Sequence, residues 1–150
     1  MRKGSVAVEE LQAQVAGWLN TLFSGVEELS DGSFHVPNFG TSAIDVHVEE
    51  VFGGRHTRVR VDAYVLMEVP ITTKLMKYIG ERSNDFVFGH LAVIRDEEAE
   101  TGTLVFRQTL LGDAIDEVEL KLACQVTALT ADNLDEDLIR NMGGRLYVDD

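Results

Sequence analysis

At 150 residues and 45% hydrophobic, the chain is long and apolar enough to fold as one domain around a real core. Its 26 acidic against 13 basic side chains give a formal charge of -13, which repels a phosphate backbone and an anionic membrane and favours a basic or apolar partner. A single cysteine, Cys124, excludes an internal disulfide and a zinc cluster, and no apolar run approaches the ~18 residues of a membrane span.

Glu9, Glu10 and Gln12 follow Met1-Arg2-Lys3 too closely for a secretory leader, so a soluble cytoplasmic protein is expected. Ser5 is placed to cap a helix on which Val8, Leu11, Val15, Trp18, Leu19, Leu22 and Val26 recur at three- and four-residue steps. Asp31-Gly32-Ser33 closes that segment with turn chemistry. Phe34 to Phe39 reads as a short strand, placed at an edge by Pro37. Thr41 to Val51 alternates, with Ile44, Val46 and Val48 on one side and Asp45, His47 and Glu49 on the other. After the Gly53-Gly54 turn, Val59, Val61, Ala63 and Val65 oppose Arg60, Asp62, Tyr64 and Leu66. The two runs predict an antiparallel hairpin with one buried face.

Pro70 ends that strand, and Thr72 or Thr73 is placed to cap a short helix carrying Leu75, Met76 and Ile79. Phe86 to Ile94 and Thr103 to Leu110 read as the fourth and fifth strands, joined by the acidic loop from Asp96 to Gly102. A final helix starts near Asp116 with Glu117 and Glu119 in its first turn, where acids suit the helix dipole. It carries two apolar stripes: Ile115, Val118, Leu122, Val126 and Leu129, then Leu120, Ala123, Cys124, Thr127 and Ala131. The whole predicts an α+β fold: a two-layer α/β sandwich with an antiparallel sheet and the order α-β-β-β-α-β-β-α, one domain over 1–150 with its core at about 6–145.

No catalytic constellation stands out. His35, His47, His56 and His90 lack the i, i+4 spacing of a helical metal site, and no serine lies in a G-x-S-x-G elbow. Gly53-Gly54 lacks the Lys and Ser/Thr of a phosphate loop, and Asp132, Asp135, Glu136 and Asp137 lack calcium-loop spacing. No metal, organic cofactor or nucleic acid is expected. Three residues, His47, Asp62 and His90, share the outer sheet face in this reading and are the basis of an alternative, a small hydrolase-type enzyme.

Several short words carry a resemblance: Met67-Glu68-Val69-Pro70, Asn84, Leu111-Gly112-Asp113, Ala128 to Asp132, and Gly143-Gly144. Through them, and through element order over about residues 6 to 145, the chain resembles the actinobacterial peptide-binding chaperones related to type III secretion chaperones of the CesT type and to YbjN proteins. The resemblance implies a non-enzymatic module that holds client polypeptide segments, linked to secretion in that family and often dimeric. With the first and last helices on the inner face, clients are expected on the outer face at His47, Arg60, Tyr64, Leu66, Phe88 and His90. A homodimer is expected through Leu75, Met76 and Ile79, with a dimeric scaffold as the alternative role.

Overall fold

The computed structural model describes residues 4–39, 42–134 and 136–147, and side chains from Val8 onward except those of Asn38, Glu136 and Leu138. The expected cap side chain at Ser5, the first expected strand residue Thr41, and Asp135 lie outside what is described. In chain order the elements are α1 (Gly4–Leu22), β1 (Glu27–Glu28), β2 (Phe34–Phe39), β3 (Ser42–Val51), β4 (His56–Pro70) and α2 (Thr73–Arg82). Then come β5 (His90–Arg95), β6 (Thr101–Leu111), α3 (Glu117–Asp132), α4 (Glu136–Arg140) and β7 (Arg145–Leu146). All neighbours in the sheet are antiparallel, in the order β1-β2-β3-β4-β6-β5, and β7 pairs with β4 beyond the start of β3. The expected order of three helices and five strands is present, with β1, α4 and β7 added to it.

The inner face is built by the alternation seen in the sequence. Ile44, Val46, Val59, Val61 and Ala63 are fully buried against Leu11, Val15 and Leu19 of α1 and Leu120, Ala123 and Cys124 of α3. A second core lies toward the other end of the sheet. There Leu66, Leu104 and Phe106 meet Leu75 and Tyr78 of α2 and Ile139 of α4. Thr72 caps α2 by accepting from the Leu75 N–H, and Asp116 caps α3 by accepting from the Glu119 N–H at 2.8 Å.

Three expectations change here. Leu66 was expected on the outer face, but a bulge at Val65 shifts the register, so that Tyr64 pairs with Val105 and Leu66 with Leu104. The extra residue flips the side-chain phase and sends Leu66 into the second core, fully buried. The fourth strand starts at His90, not Phe86. Gly89 turns the chain at φ +81°, and Phe86 packs edge-on against Phe106 with ring centres 4.9 Å apart. Leu75 faces its own core and is fully buried, so it offers nothing to a second chain. Met76 is half-exposed, and Ile79 packs partly on the second core.

The Leu111-Gly112-Asp113 word is a joint. Asp113 Oδ1 accepts from both the N–H and the hydroxyl of Thr57 at 2.7 Å, and its Oδ2 lies 2.5 Å from His56 Nδ1. Those bonds hold the Asp113 carboxyl down at about 2, the His56 contact contributing most. Gly112 is buried beneath them, tight against Thr57 and Leu11, and ties the β6–α3 connection to β4 and α1.

Candidate functional site

The outer face of the sheet is polar and largely self-paired. Its rows follow from the register: His35, Asp45, Asp62, Arg107 and His90 cross the sheet in one line, and His47, Arg60 and Thr109 in the next. Asp62 is almost fully buried and takes a two-pronged contact from Arg107, Nε to Oδ1 at 2.7 Å and Nη2 to Oδ2 at 3.1 Å. Arg60 Nε lies 3.3 Å from the same Oδ2, while Arg60 and Arg58 both donate to Glu49. Both Asp62 oxygens therefore face guanidinium groups, not the imidazoles of His47 or His90, and the pairing the enzyme alternative requires is not assembled.

A second cluster was not foreseen. Asp45 accepts from Tyr64 Oη and lies 2.7 Å from His35 Nδ1, and His35 Nε2 lies 3.3 Å from the Tyr147 hydroxyl. Tyr147 stacks on Tyr64 with ring centres 5.0 Å apart and planes 19° apart. Burial first, then the bond to Asp45, pushes the Tyr64 phenol well above its ordinary range. The cluster fastens Tyr147, the residue after β7, to the outer face, and Arg145 adds a contact to Glu68 at 3.0 Å. The neighbouring cavity, lined by Ser42, Tyr64 and Tyr147, has about 20 Å³, the space of one water. No local sequence signal finds this cluster, because His35 and Tyr147 are 112 residues apart.

The expected client-binding residues thus separate. Arg60 and Tyr64 are half-buried and already bonded within the chain; His47 is half-buried in the row beside them; His90 is exposed at the edge strand. Phe88 is exposed but lies off the sheet face, in the bend before Gly89.

It stands instead over the helical side of the molecule, at a feature the sequence only half signalled. Of the two α3 stripes, the first is mostly not spent on the core: Ile115 is buried, but Val118, Leu122 and Leu129 are more than half exposed. Beside it, β6 runs four residues past the start of β5, since Arg107 pairs with His90 and nothing described pairs with Gln108 to Leu111 on that side. Between the two lies a mostly apolar groove of about 310 Å³, walled by Phe88, Leu110, Leu122, Ala123 and Val126, with Glu119 on its rim. An adjoining cleft of about 370 Å³ follows the strand edge along Phe88, Gly89, His90 and Thr109. Among the described residues no three His, Cys, Asp or Glu side chains gather as metal ligands do, and no helix is long and apolar enough to cross a membrane.

Residues 9–150 match the family described as T3SS (YopN, CesT) and YbjN peptide-binding chaperone 1. The chain belongs to this family. The crystal structure of YbjN from E. coli superposes with a TM-score of 0.61 at 14% identity, covering 90% of this chain and 94% of that one, which is a likeness of fold. No curated protein matches the chain by sequence. The family's character is that of a peptide-binding chaperone, so a chaperone-like binding role and polypeptide partners follow for this member.

Proposed function

We propose that the protein is a non-enzymatic holder of extended segments of other polypeptides. The observation that carries this reading is the apolar stripe of α3 left outside the core, lying beside a strand edge with no partner among the described residues. A strand edge supplies unspent main-chain donors and acceptors to an extended chain, and an apolar groove beside it selects among side chains. The -13 charge keeps such a surface soluble and turns away acidic clients. On the outer face Asp62 is held by two arginines and the half-buried Tyr64 is a poor acid, which supports the non-enzymatic reading. The same α3 stripe supports a second reading, in which two copies of the chain pack through it. A link to secretion is part of the family reading.

The test is a cellulose-bound array of random heptapeptides probed with the purified chain, with the best binders re-measured in solution by fluorescence anisotropy. Saturable binding with a consistent sequence preference supports the holding role. An array on which no peptide binds saturably overturns it.

A further inference from the structure

We infer that the client segment adds as a strand to the free edge of β6 at Thr109 and Leu111, places apolar side chains in the groove against α3, and bears a Lys or Arg that meets Glu119. The inference rests on the holding role proposed above. It names the place and the chemistry of what is held.

The strand addition follows from the backbone. A side chain on Gly89 would lie 2.3 Å from the carbonyl oxygen of Arg107, so that carbonyl points out of β6 toward the β5 side. Pairing of β6 with β4 is regular from Val105 to Leu111. Backbone groups alternate in direction along a strand, so the N–H and C=O of Thr109 and Leu111 also point to the β5 side. β5 has ended by then, and no described strand meets them. An extended segment laid there continues the line of β5 by two rungs.

The side-chain preference follows from what lies on either side of that line. Gln108 and Leu110 pair with Val61 and Val59 and therefore face α3. Alternate residues of an added strand facing the same way enter the groove between Leu110, Leu122, Val126 and Phe88. Glu119 stands on the rim, exposed, with no ion-pair partner among the described residues, in a molecule of charge -13. A cation on the segment's groove side is drawn there and a carboxylate is repelled. A second copy of this chain brings the same Glu119 and the same excess of acid, so the client is the better match.

The experiment titrates 15N-labelled full chain with the peptide Thr-Val-Thr-Leu-Thr-Arg-Thr and with its counterpart carrying Glu in place of Arg. The amide signals of Thr109 and Leu111 are expected to shift and to exchange more slowly with solvent, and the Arg peptide to bind about tenfold more tightly than the Glu peptide. Thr109→Pro removes an outward donor without touching the β4 ladder, and Leu122→Lys changes an exposed groove wall. Each is expected to weaken the Arg peptide about tenfold while the melting temperature stays within a few degrees. Failure at this place is distinct from failure of the holding role. If the random array binds the chain but Thr109 and Leu111 stay unmoved, or both variants bind like the parent, the site is overturned and the role stands. If no array peptide binds, both fall. If Leu122→Lys converts a dimer to monomers and leaves peptide affinity unchanged, the groove belongs to a second copy and the inference is overturned.

Discussion

Replacing Gly112 by alanine tests the joint on which β4, α1 and α3 converge. The added methyl group would lie 2.6 Å from Leu11 Cδ2, 2.6 Å from Thr57 Oγ1 and 3.1 Å from the Thr57 carbonyl carbon. Leu11 is able to swing its branched end aside. Thr57 is not, because its hydroxyl and its N–H are both bonded to Asp113 at 2.7 Å and its backbone sits in the sheet. Overfilling a packed site costs about 1–3 kcal/mol, and a clash against a fixed neighbour belongs at the upper end of that range, about 2–3 kcal/mol. At this chain length that loss lowers the melting temperature by roughly 4–12 °C and the urea midpoint by about 1 M. Trp18 packs against the core that Gly112 closes, so its fluorescence during urea unfolding reads the effect directly. Thr57→Ala in the same chain removes the hydroxyl that the methyl meets. The double variant is therefore expected to be more stable than the sum of the single losses by about 1 kcal/mol. A midpoint shift for Gly112→Ala smaller than about 0.2 M, or strict additivity with Thr57→Ala, would refute the reasoning.

Three further outcomes follow from the same geometry. Asp113 has a folded pKa of about 2, below its ordinary 3.8, so it binds fewer protons folded than unfolded; its stabilisation is complete above about 4 and disappears as pH falls through 2. The stability gap between parent and Asp113→Asn is thus expected to be full at neutral pH and to close between pH 4 and 2, and a gap that widens on acidification contradicts it. Leu66→Ala is expected to cost about 3 kcal/mol in chemical denaturation, as a core truncation does, and a cost under about 0.5 kcal/mol would return Leu66 to the surface. Cys124 is fully buried, and burial pushes its thiol up to about 12, so native protein at pH 8 should resist Ellman's reagent while urea-unfolded protein reacts at once; rapid native labelling contradicts the placement.

Much of the architecture was legible because it rests on long periodic runs. The alternation from Ile44 to Val48 and from Val59 to Ala63 assigned the hairpin and its buried face, whereas the two apolar stripes of α3 did not say which of them the core takes. Periodicity could not find the bulge at Val65, because Val65 and Leu66 are both apolar and either phase looks the same. The two-residue strands β1 and β7 are too short to carry a pattern. Gly89 did leave a signal: a glycine inside a strand-like run marks a break, and reading it so would have taken Phe88 off the sheet face. The polar rows on the outer face held residues of the expected types, but their mutual pairing depends on register across five strands, which one sequence does not encode locally.

The open edge itself results from a competition within the chain. The register that sets His90 opposite Arg107 would, if continued, set Phe88 opposite Thr109 and Phe86 opposite Leu111, closing the edge with residues the sequence already marks as strand-like. Two more rungs would bring up to four hydrogen bonds, through the N–H and C=O of Thr109 and Leu111, of about 1 kcal/mol net each. Against that, Phe86 would leave its edge-on contact with Phe106 and its place beneath the Arg82 guanidinium, 5.7 Å from the ring centre. An aromatic side chain buried in such a setting is worth about 2–3 kcal/mol, with a further ~0.5–1.5 from the ring pair. Packing therefore offsets the pairing that is given up, and Gly89 supplies the turn that lets Phe86 reach the core. Phe86→Ala removes the packing side of that balance. In that variant the segment before Gly89 is expected to zip onto β6, and the amides of Thr109 and Leu111 are expected to exchange with solvent more slowly than in the parent, even though the second core is weaker overall. Equal or faster exchange at both amides would mean that Phe86 is not what keeps the edge open, and that the stiffness of the Gly89 turn alone holds the segment away.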